Sequence, residues 1–455
     1  MVETTNGLKE LQAKFCISIV GGEIRVIDRD QIRGVLAGNA TDVVHYYRKA
    51  DGELLMKRLL ESLPIASKPK ETIQEFWISP STKVIDAVAF DPTPQPETTL
   101  NYYVGHTVAP CDAHIIVDGQ KRRTEGDWNV IKDYLLNIIC DGDHESYEYL
   151  GNFLAHMIQK PEIKPGIIII LMGGEGVGKG MFFQFLSRIW SRTTLLISDV
   201  NEVVGNFNAS LERNFIVCMD EALFKGDRKA QDQLKSIVTE PTIRIEEKYQ
   251  PKRTIKSYHR FFASTNDEQF AKIRADDRRC VFLRVSDRAK QNTGYFSRLD
   301  AAFHDGKTVE AFVDFLSRCD IDGFDVRKRP RTKEHDLQKV LSLKGFPRYW
   351  KEVLEMGNFT VCTGTYLGEK KWDEGCFVSS SSILERYTAF DKQSGKYEPV
   401  QMTAITKSIK QLCPSAGSTR KRDGGGNKRG FQLPTLEIAR REFEEYLGGK
   451  VDWDA

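Results

Sequence analysis

The sequence predicts an α/β protein built around a mostly parallel sheet, and three observations predict it. Between about residues 160 and 290, short apolar runs alternate with helical patterns, as in βαβ units. Those runs are continuous rather than alternating, as in strands covered on both faces. The first of them feeds a glycine-rich turn that opens a helix. A mixed region before this core and a smaller α+β unit after it complete the expected architecture.

Strands are expected at 166–172 (GIIIILM), 194–198 (TLLIS), 214–220 (NFIVCMD), 258–265 (YHRFFAST) and 280–285 (CVFLRV), with helices at 179–191 and 228–239. Upstream, FCISIVGG and EIRVI read as a hairpin turning at Gly21-Gly22, and ELLMKRLLESL as a helix. IASKPKE reads as a linker, and residues 75–110 as short strands and loops. WNVIKDYLLNIIC and YEYLGNFLAHMIQ are amphipathic segments split by DGDHE. Residues 290–330 read as helical, and VRKRPRTKEH as a basic connector containing Arg327, Lys328, Arg329 and Arg331. After about 340, MTAITKSIKQLCP suggests a helix, STRKRDGGGNKRG a basic glycine loop, FQLP a strand and IARREFEEYL a last helix. That succession is compatible with a winged-helix-like module. The expected division is 1–70, 71–160, 161–290, 291–340 and 341–455.

The chain has 455 residues, 29% of them charged and 40% hydrophobic, with a formal net charge of +2. Any basic surface must therefore be local. The nine cysteines show no C-x-x-C spacing and read as reduced thiols in a cytosol-like compartment, not as a zinc site. The N-terminus lacks a signal-peptide pattern, and the longest apolar stretch, Ile167–Met172, is too short to span a bilayer. The expectation is a soluble protein of the cytoplasm, or of the host cytoplasm if phage-encoded, without a membrane partner. His106, His114, His156 and His259 read as structural. Asp28 and Asp30 form a D-x-D pair with no supporting constellation.

The chemistry concentrates in four elements. In LMGGEGVGKG, Gly173, Gly174, Gly176 and Gly178 are expected to reach positive-φ conformations and aim backbone N–H groups at phosphate oxygens. Glu175, Val177, Gly180 and Met181 complete the nucleotide-contacting run, and Lys179 brings a charge to the β- and γ-phosphates. The pattern is G-x-x-x-x-G-K-[ST] except that Gly180 replaces the hydroxyl residue that would hold Mg²⁺. About forty residues on, Asp220 and Glu221 end an apolar strand. Asp220 is expected to hold magnesium and Glu221 to polarise the attacking water, the pair together managing metal and water. Asn266 ends a strand that could lie beside Asp220 and contact the water or γ-phosphate. Arg278 or Arg279 is expected to meet transition-state charge across a subunit boundary.

In this order the elements resemble the superfamily 3 helicases, and more closely the poxvirus D5-like primase-helicases of phages and mobile elements. The resemblance covers about 75–340, from FWISPSTKVIDAVAFDP and NYYVGH through the glycine loop, VCMDE, LKSIVTEPTIRIEEKYQPKRTIKSYHRFFASTN and DDRRCVF to RKRPRT. It implies a AAA+-like P-loop core, ATP and Mg²⁺ at subunit interfaces, a hexameric homo-oligomer and 3′-to-5′ movement on single-stranded or forked DNA, with a primase or polymerase as partner. It places a DNA-contacting hairpin at about 243–256, with Lys248, Tyr249, Lys252 and Arg253 near its tip and Lys235 on the preceding helix. A second DNA contact is read from the C-terminal cluster Arg420, Lys421, Arg422, Lys428 and Arg429. Only about 160 residues precede the glycine loop, too few for a primase domain plus connecting region, so the chain is expected to be a stand-alone helicase or part of a longer protein. Two other readings remain open: a small-molecule P-loop kinase, and a DNA-binding initiator in which ATP orders assembly without turnover.

Overall fold

Five strands supply the central sheet of this computed structural model, which describes residues 2–19, 23–37, 44–64, 68–109, 114–117, 120–123, 127–205, 208–221, 228–246, 253–266, 278–330, 332–341, 343–363, 366–372, 375–393, 401–423 and 426–453. The elements are β1 (Ile168–Met172), α1 (Lys179–Ile189), β2 (Thr194–Ile197), β3 (Ile216–Asp220), α2 (Arg228–Thr239), β4 (Thr242–Ile245), β5 (Arg253–Lys256), β6 (Arg260–Thr265) and β7 (Cys280–Arg284). The sheet order is β2-β3-β6-β1-β7. Every neighbouring pair is parallel. The expected α/β architecture is present.

Composition explains the order. Every residue of β1 and β6 is buried, which suits central strands covered on both faces. The edge strand β2 carries half-buried and exposed residues instead. Helix α1 buries Lys179, Phe182, Phe183, Phe185, Leu186 and Ile189. Phe182 meets Phe262 of β6 edge-on, and Phe185 stacks on Phe303. Burying each such ring contributes about 1.5–3 kcal/mol, so the helix that follows the glycine turn is firmly seated.

The order also positions the site. Strand β6 lies between β1 and β3, so the residue that ends it stands between the turn after β1 and the acidic end of β3. In open parallel sheets ligands bind at the carboxyl ends of the strands, where these three ends meet. At the other end of β6, the fully buried Arg260 guanidinium donates to the carbonyls of Tyr258, Lys160, Pro161 and Ile163 and lies over Phe215. His259 is also buried, between the Ser257 hydroxyl and the Leu211 carbonyl, and burial pushes its imidazole down to about 4.

Upstream of the core, strands Tyr46–Arg48, Arg25–Asp28, Phe15–Ser18 and Val84–Ile85 form a mixed sheet in that order. The expected pairing of the FCIS and RVID strands is present, while Gly21-Gly22 lies outside the described residues. The linker and loop readings need correction at Pro69–Ile78, which is a helix. Pro69 occupies its first turn, where a missing N–H costs nothing, and Thr72 and Phe76 supply its buried face. The D-x-D carboxylates pair with Lys14.

The second compact unit comprises residues 267–278 and 331–455. Helix Phe346–Met356, strand Phe377–Ser379, helices Ser380–Gln393 and Met402–Leu412, strands Gly417–Asp423 and Gly426–Gln432, and helix Leu436–Leu447 follow one another. Its core gathers Trp350, Trp372, Tyr387, Ile405 and Phe443. The expected helix, basic hairpin, helix succession is present, but the glycine loop is shorter than the sequence suggests. Most of STRKRDGGGNKRG is paired strand, with Arg420 opposite Arg429 and Lys421 opposite Lys428.

Gly430 is where this hairpin approaches its neighbour most closely. A Cβ there would stand 2.2 Å from the Val378 carbonyl oxygen and 2.8 Å from the Phe377 ring. Backbone cannot yield as a flexible side chain can. Gly430→Ala is therefore expected to lower the stability of this unit by about 2 kcal/mol or more, read as an earlier thermal or urea transition.

Candidate phosphate-binding site

The glycine turn after β1 is held from both sides. The Gly173 N–H donates to the Thr265 carbonyl (3.3 Å), the Val285 N–H to Met172 (2.7 Å) and the Gln291 N–H to Gly176 (3.2 Å). Gly176 and Gly178 adopt φ of 73° and 102°. Gly173 and Gly174 do not, which corrects the reading that all four glycines serve positive φ. Gly173 is small for a different reason: a Cβ there would crowd Val285 and Val177 at 3.2–3.3 Å. Among the described residues, none of the N–H groups from Gly174 to Gly180 donates to a backbone carbonyl. A row of unspent donors at the start of a helix is a ready anion cradle.

Lys179 is only 7% exposed. Its ammonium donates to the carbonyls of Gly173 (2.8 Å) and Gly174 (2.6 Å) and to Asn266 Oδ1 (2.5 Å). These three bonds use all three of its donors. Burial pulls its pKa below the usual lysine value, opposed by the charges of Glu221, Asp220, Glu175 and Asp287. Asn266 then turns its amide nitrogen to Glu221 Oε1 at 2.5 Å. The amide orientation is fixed, because the flipped form would set donor against donor at Lys179.

Asp220 and Glu221 are exposed at the end of β3. Asp220 is the cross-strand partner of Ser264, whose hydroxyl donates to Asp220 Oδ1. Glu221 has a φ of 52°, a left-handed conformation that costs a residue with a Cβ on the order of 1 kcal/mol. Its N–H donates to Ser264 Oγ at 3.3 Å. Glu175 to Met181, Gln184, Asp220, Glu221, Asn266 and Phe296 line a cavity of about 370 Å³. Among the described residues no group of three or more His, Cys, Asp or Glu side chains is assembled for a metal ion. Two carboxylates beside a phosphate cradle fit magnesium, which binds through one or two carboxylates, water and phosphate oxygens.

Three contributors were not singled out from sequence. Tyr134, fully buried in the π-helical turn Tyr134–Ile139, donates its hydroxyl to the Gly178 carbonyl at 2.8 Å. Phe296 packs where a Cβ on Gly178 would come within 2.7 Å of its ring. Lys290 brings its ammonium near the loop, 3.5 Å from where a Cβ on Gly174 would stand. Only the π-helical turn left a trace in sequence, as part of the amphipathic run before DGDHE. Nothing marked Tyr134 within that run.

The arginines are placed elsewhere. The Arg279 carbonyl accepts from the Ile168 N–H, at the start of β7 and β1. The five residues of β1 separate it from the glycine turn by roughly 16 Å of strand rise. Arg278 begins the turn before β7 and is exposed. The sheet does not bring Arg279 to Lys179.

Strands β4 and β5 form the expected hairpin, pairing Thr242 with Lys256 and Ile245 with Arg253. Lys248, Tyr249 and Lys252 lie outside the described residues, as does the Arg253 side chain. The Lys256 ammonium reaches Asp91 at 3.1 Å. In the second unit Arg420, Lys421, Arg422 and Arg429 are exposed and Lys428 half-buried.

A family of unknown function, DUF5906, matches residues 171–279, which runs from the end of β1 past the acidic pair and Asn266 to Arg279. A DNA primase-polymerase of Nitratiruptor phage NrS-1 is 30% identical over 155 residues, 33% of this chain. The match spans 21% of that relative's length. Among solved structures, an apo form of the NrS-1 C terminal region aligns with a TM-score of 0.59 at 15% identity, over 95% of this chain and 100% of that one. A second apo form gives 0.59 over 93% and 98%. At that identity the likeness is one of fold.

The Asp91 carboxyl is pushed up by burial. The Thr93 N–H and hydroxyl, the Tyr258 hydroxyl and the Lys256 ammonium outweigh this and hold it at about 2. A folded value below the unfolded one stabilises above the unfolded pKa, roughly 4, and the contribution fades as pH falls toward 2. Asp91→Asn is therefore expected to lower stability at neutral pH and to flatten the acid limb between pH 4 and 2, measured by thermal melts across that range.

Proposed function

We propose that this chain is a DNA-translocating ATPase, a helicase that hydrolyses ATP with Mg²⁺ and moves on single-stranded or forked DNA. One observation carries the ATPase reading. Lys179, Asn266 and Glu221 form a continuous hydrogen-bonded chain along the cavity wall, beside seven N–H groups, Gly174 to Gly180, with no backbone acceptor among the described residues. The resting bonds of Lys179 go to neutral acceptors. Phosphate oxygens carry charge and bind an ammonium more strongly, so an arriving triphosphate would draw Lys179 away from Asn266. Asn266 would then be released toward the γ-phosphate, and Glu221 toward the attacking water. Magnesium supplies charge neutralisation of the phosphates when bound. Asp220 would hold it, and Glu221 would take the water's proton.

The wider reading draws on the family resemblance. Arg279 sits at the wrong end of β7 to serve its own subunit, which supports a finger, Arg278 or Arg279, acting on a neighbour in a hexameric ring. The β4–β5 hairpin would carry Lys248, Tyr249, Lys252 and Arg253 to the strand being moved, by phosphate contact and base stacking. The C-terminal hairpin supports a second DNA contact. It sets Arg420 opposite Arg429 and Lys421 opposite Lys428, gathering cations that phosphate groups could contact. The phage primase-polymerase similarity supports a place in replication, with a primase or polymerase as partner and 3′-to-5′ polarity as in the resembled family.

Lys179→Ala is expected to abolish ATP hydrolysis. Glu221→Gln should retain ATP binding and lower turnover by a hundredfold or more. Wild-type hydrolysis should rise with single-stranded DNA. Phosphate transfer to a metabolite without DNA stimulation would favour a kinase, and tight ATP binding without turnover an initiator. Arg420→Ala with Arg429→Ala should weaken duplex binding and reduce the slope of log affinity against log salt by about 2, read by fluorescence anisotropy across a salt series.

A further inference from the structure

Position 180 is where such a loop ordinarily offers a hydroxyl to the metal, and here it is glycine. Crowding does not explain the choice. A Cβ built on Gly180 meets nothing within 4 Å, and Gly180 lines the cavity. The hydroxyl at this site stands instead on β6. Ser264 is fully buried, lies across the strand pair from Asp220 and donates to Asp220 Oδ1. Its oxygen also accepts the Glu221 N–H at 3.3 Å.

We infer that Ser264 is a positioning residue for the magnesium-bearing carboxylate, taking over through Asp220 the metal-site role that position 180 has given up. The inference rests on the nucleotide reading above. The Glu221 N–H occupies one lone pair of Ser264 Oγ, and the Ser264 proton is committed to Asp220. One oxygen of a carboxylate that lines the cavity is thereby fixed. The same hydroxyl anchors the N–H of a residue held at φ 52°, so the orientations of the metal carboxylate and of the base are tied to one atom. Groups of this kind, behind a ligand rather than on the metal, change metal affinity by 10- to 100-fold when removed.

The test is equilibrium binding of a fluorescent ATP analogue to the full chain, in EDTA and across a Mg²⁺ titration. Wild type should bind in EDTA and tighten with Mg²⁺. Ser264→Ala should bind within twofold of wild type in EDTA but need about tenfold more Mg²⁺ for half-maximal tightening. Ser264→Thr, which restores the hydroxyl, should return near the wild-type midpoint. Gly180→Ser in the Ser264→Ala background should recover much of the shift. If Ser264→Ala melts early, Ser264→Cys keeps the volume with a weak donor and should shift the midpoint the same way. An unchanged midpoint, or an equal loss with and without Mg²⁺, would overturn the inference while leaving nucleotide binding standing. Failure of the Gly180→Ser rescue would overturn the exchange of roles between the two positions. Wild type that binds no analogue under either condition would overturn the nucleotide reading itself.

Discussion

The buried ammonium of Lys179 is the constraint on which the site depends. A lysine this enclosed must satisfy its charge or lose it. Here it is satisfied by two carbonyls of the turn that carries it and by the side chain that ends β6. The charge therefore pins the glycine turn to the sheet and, through Asn266, to Glu221. Strand order brings these groups together. With β6 between β1 and β3, the end of β6 borders both the lysine turn and the acidic pair among the described residues.

The scaffold around this contact is built to keep it in place. Phe182, Phe185 and their aromatic neighbours seat α1, while Tyr134 and Phe296 back the turn at Gly178. At the far end of β6, Arg260 spends its guanidinium on four carbonyls. The strand is thus fixed where the β4–β5 hairpin joins it and loaded with the reactive contacts where it ends. The same strand therefore joins the hairpin at one end to the Lys179–Asn266–Glu221 contacts at the other. The Lys256–Asp91 pair adds a tie from the hairpin's return strand to the upstream region.

Much of this was legible in the sequence. Short apolar runs marked the five core strands to within two residues at each end, although central β6 also buries the polar Arg260, Ser264 and Thr265. Lys179, Asp220, Glu221 and Asn266, which lie together around one cavity, stood out because each ends such a run or comes soon after one. What stayed hidden was whatever depended on tertiary neighbours. Tyr134 looked like one more apolar position on a helix, and Ser264 like part of a buried strand. The helix at Pro69–Ile78 was passed over because its proline and lysines resemble a linker. The glycines of the turn were assigned one shared reason, whereas the fold separates backbone conformation at Gly176 and Gly178 from crowding at Gly173. Of the two arginines, sequence expected one to act across a subunit boundary, and the strand order puts Arg279 at the start of β7, the end of the sheet away from the glycine turn.

The most direct test is a structure of the chain with a non-hydrolysable ATP analogue and Mg²⁺. The account predicts phosphate oxygens within hydrogen-bond distance of Lys179 Nζ and of the N–H groups between Gly174 and Gly180, with the Lys179–Asn266 bond broken. An analogue bound elsewhere, or phosphates in the cavity with that bond intact, would contradict it.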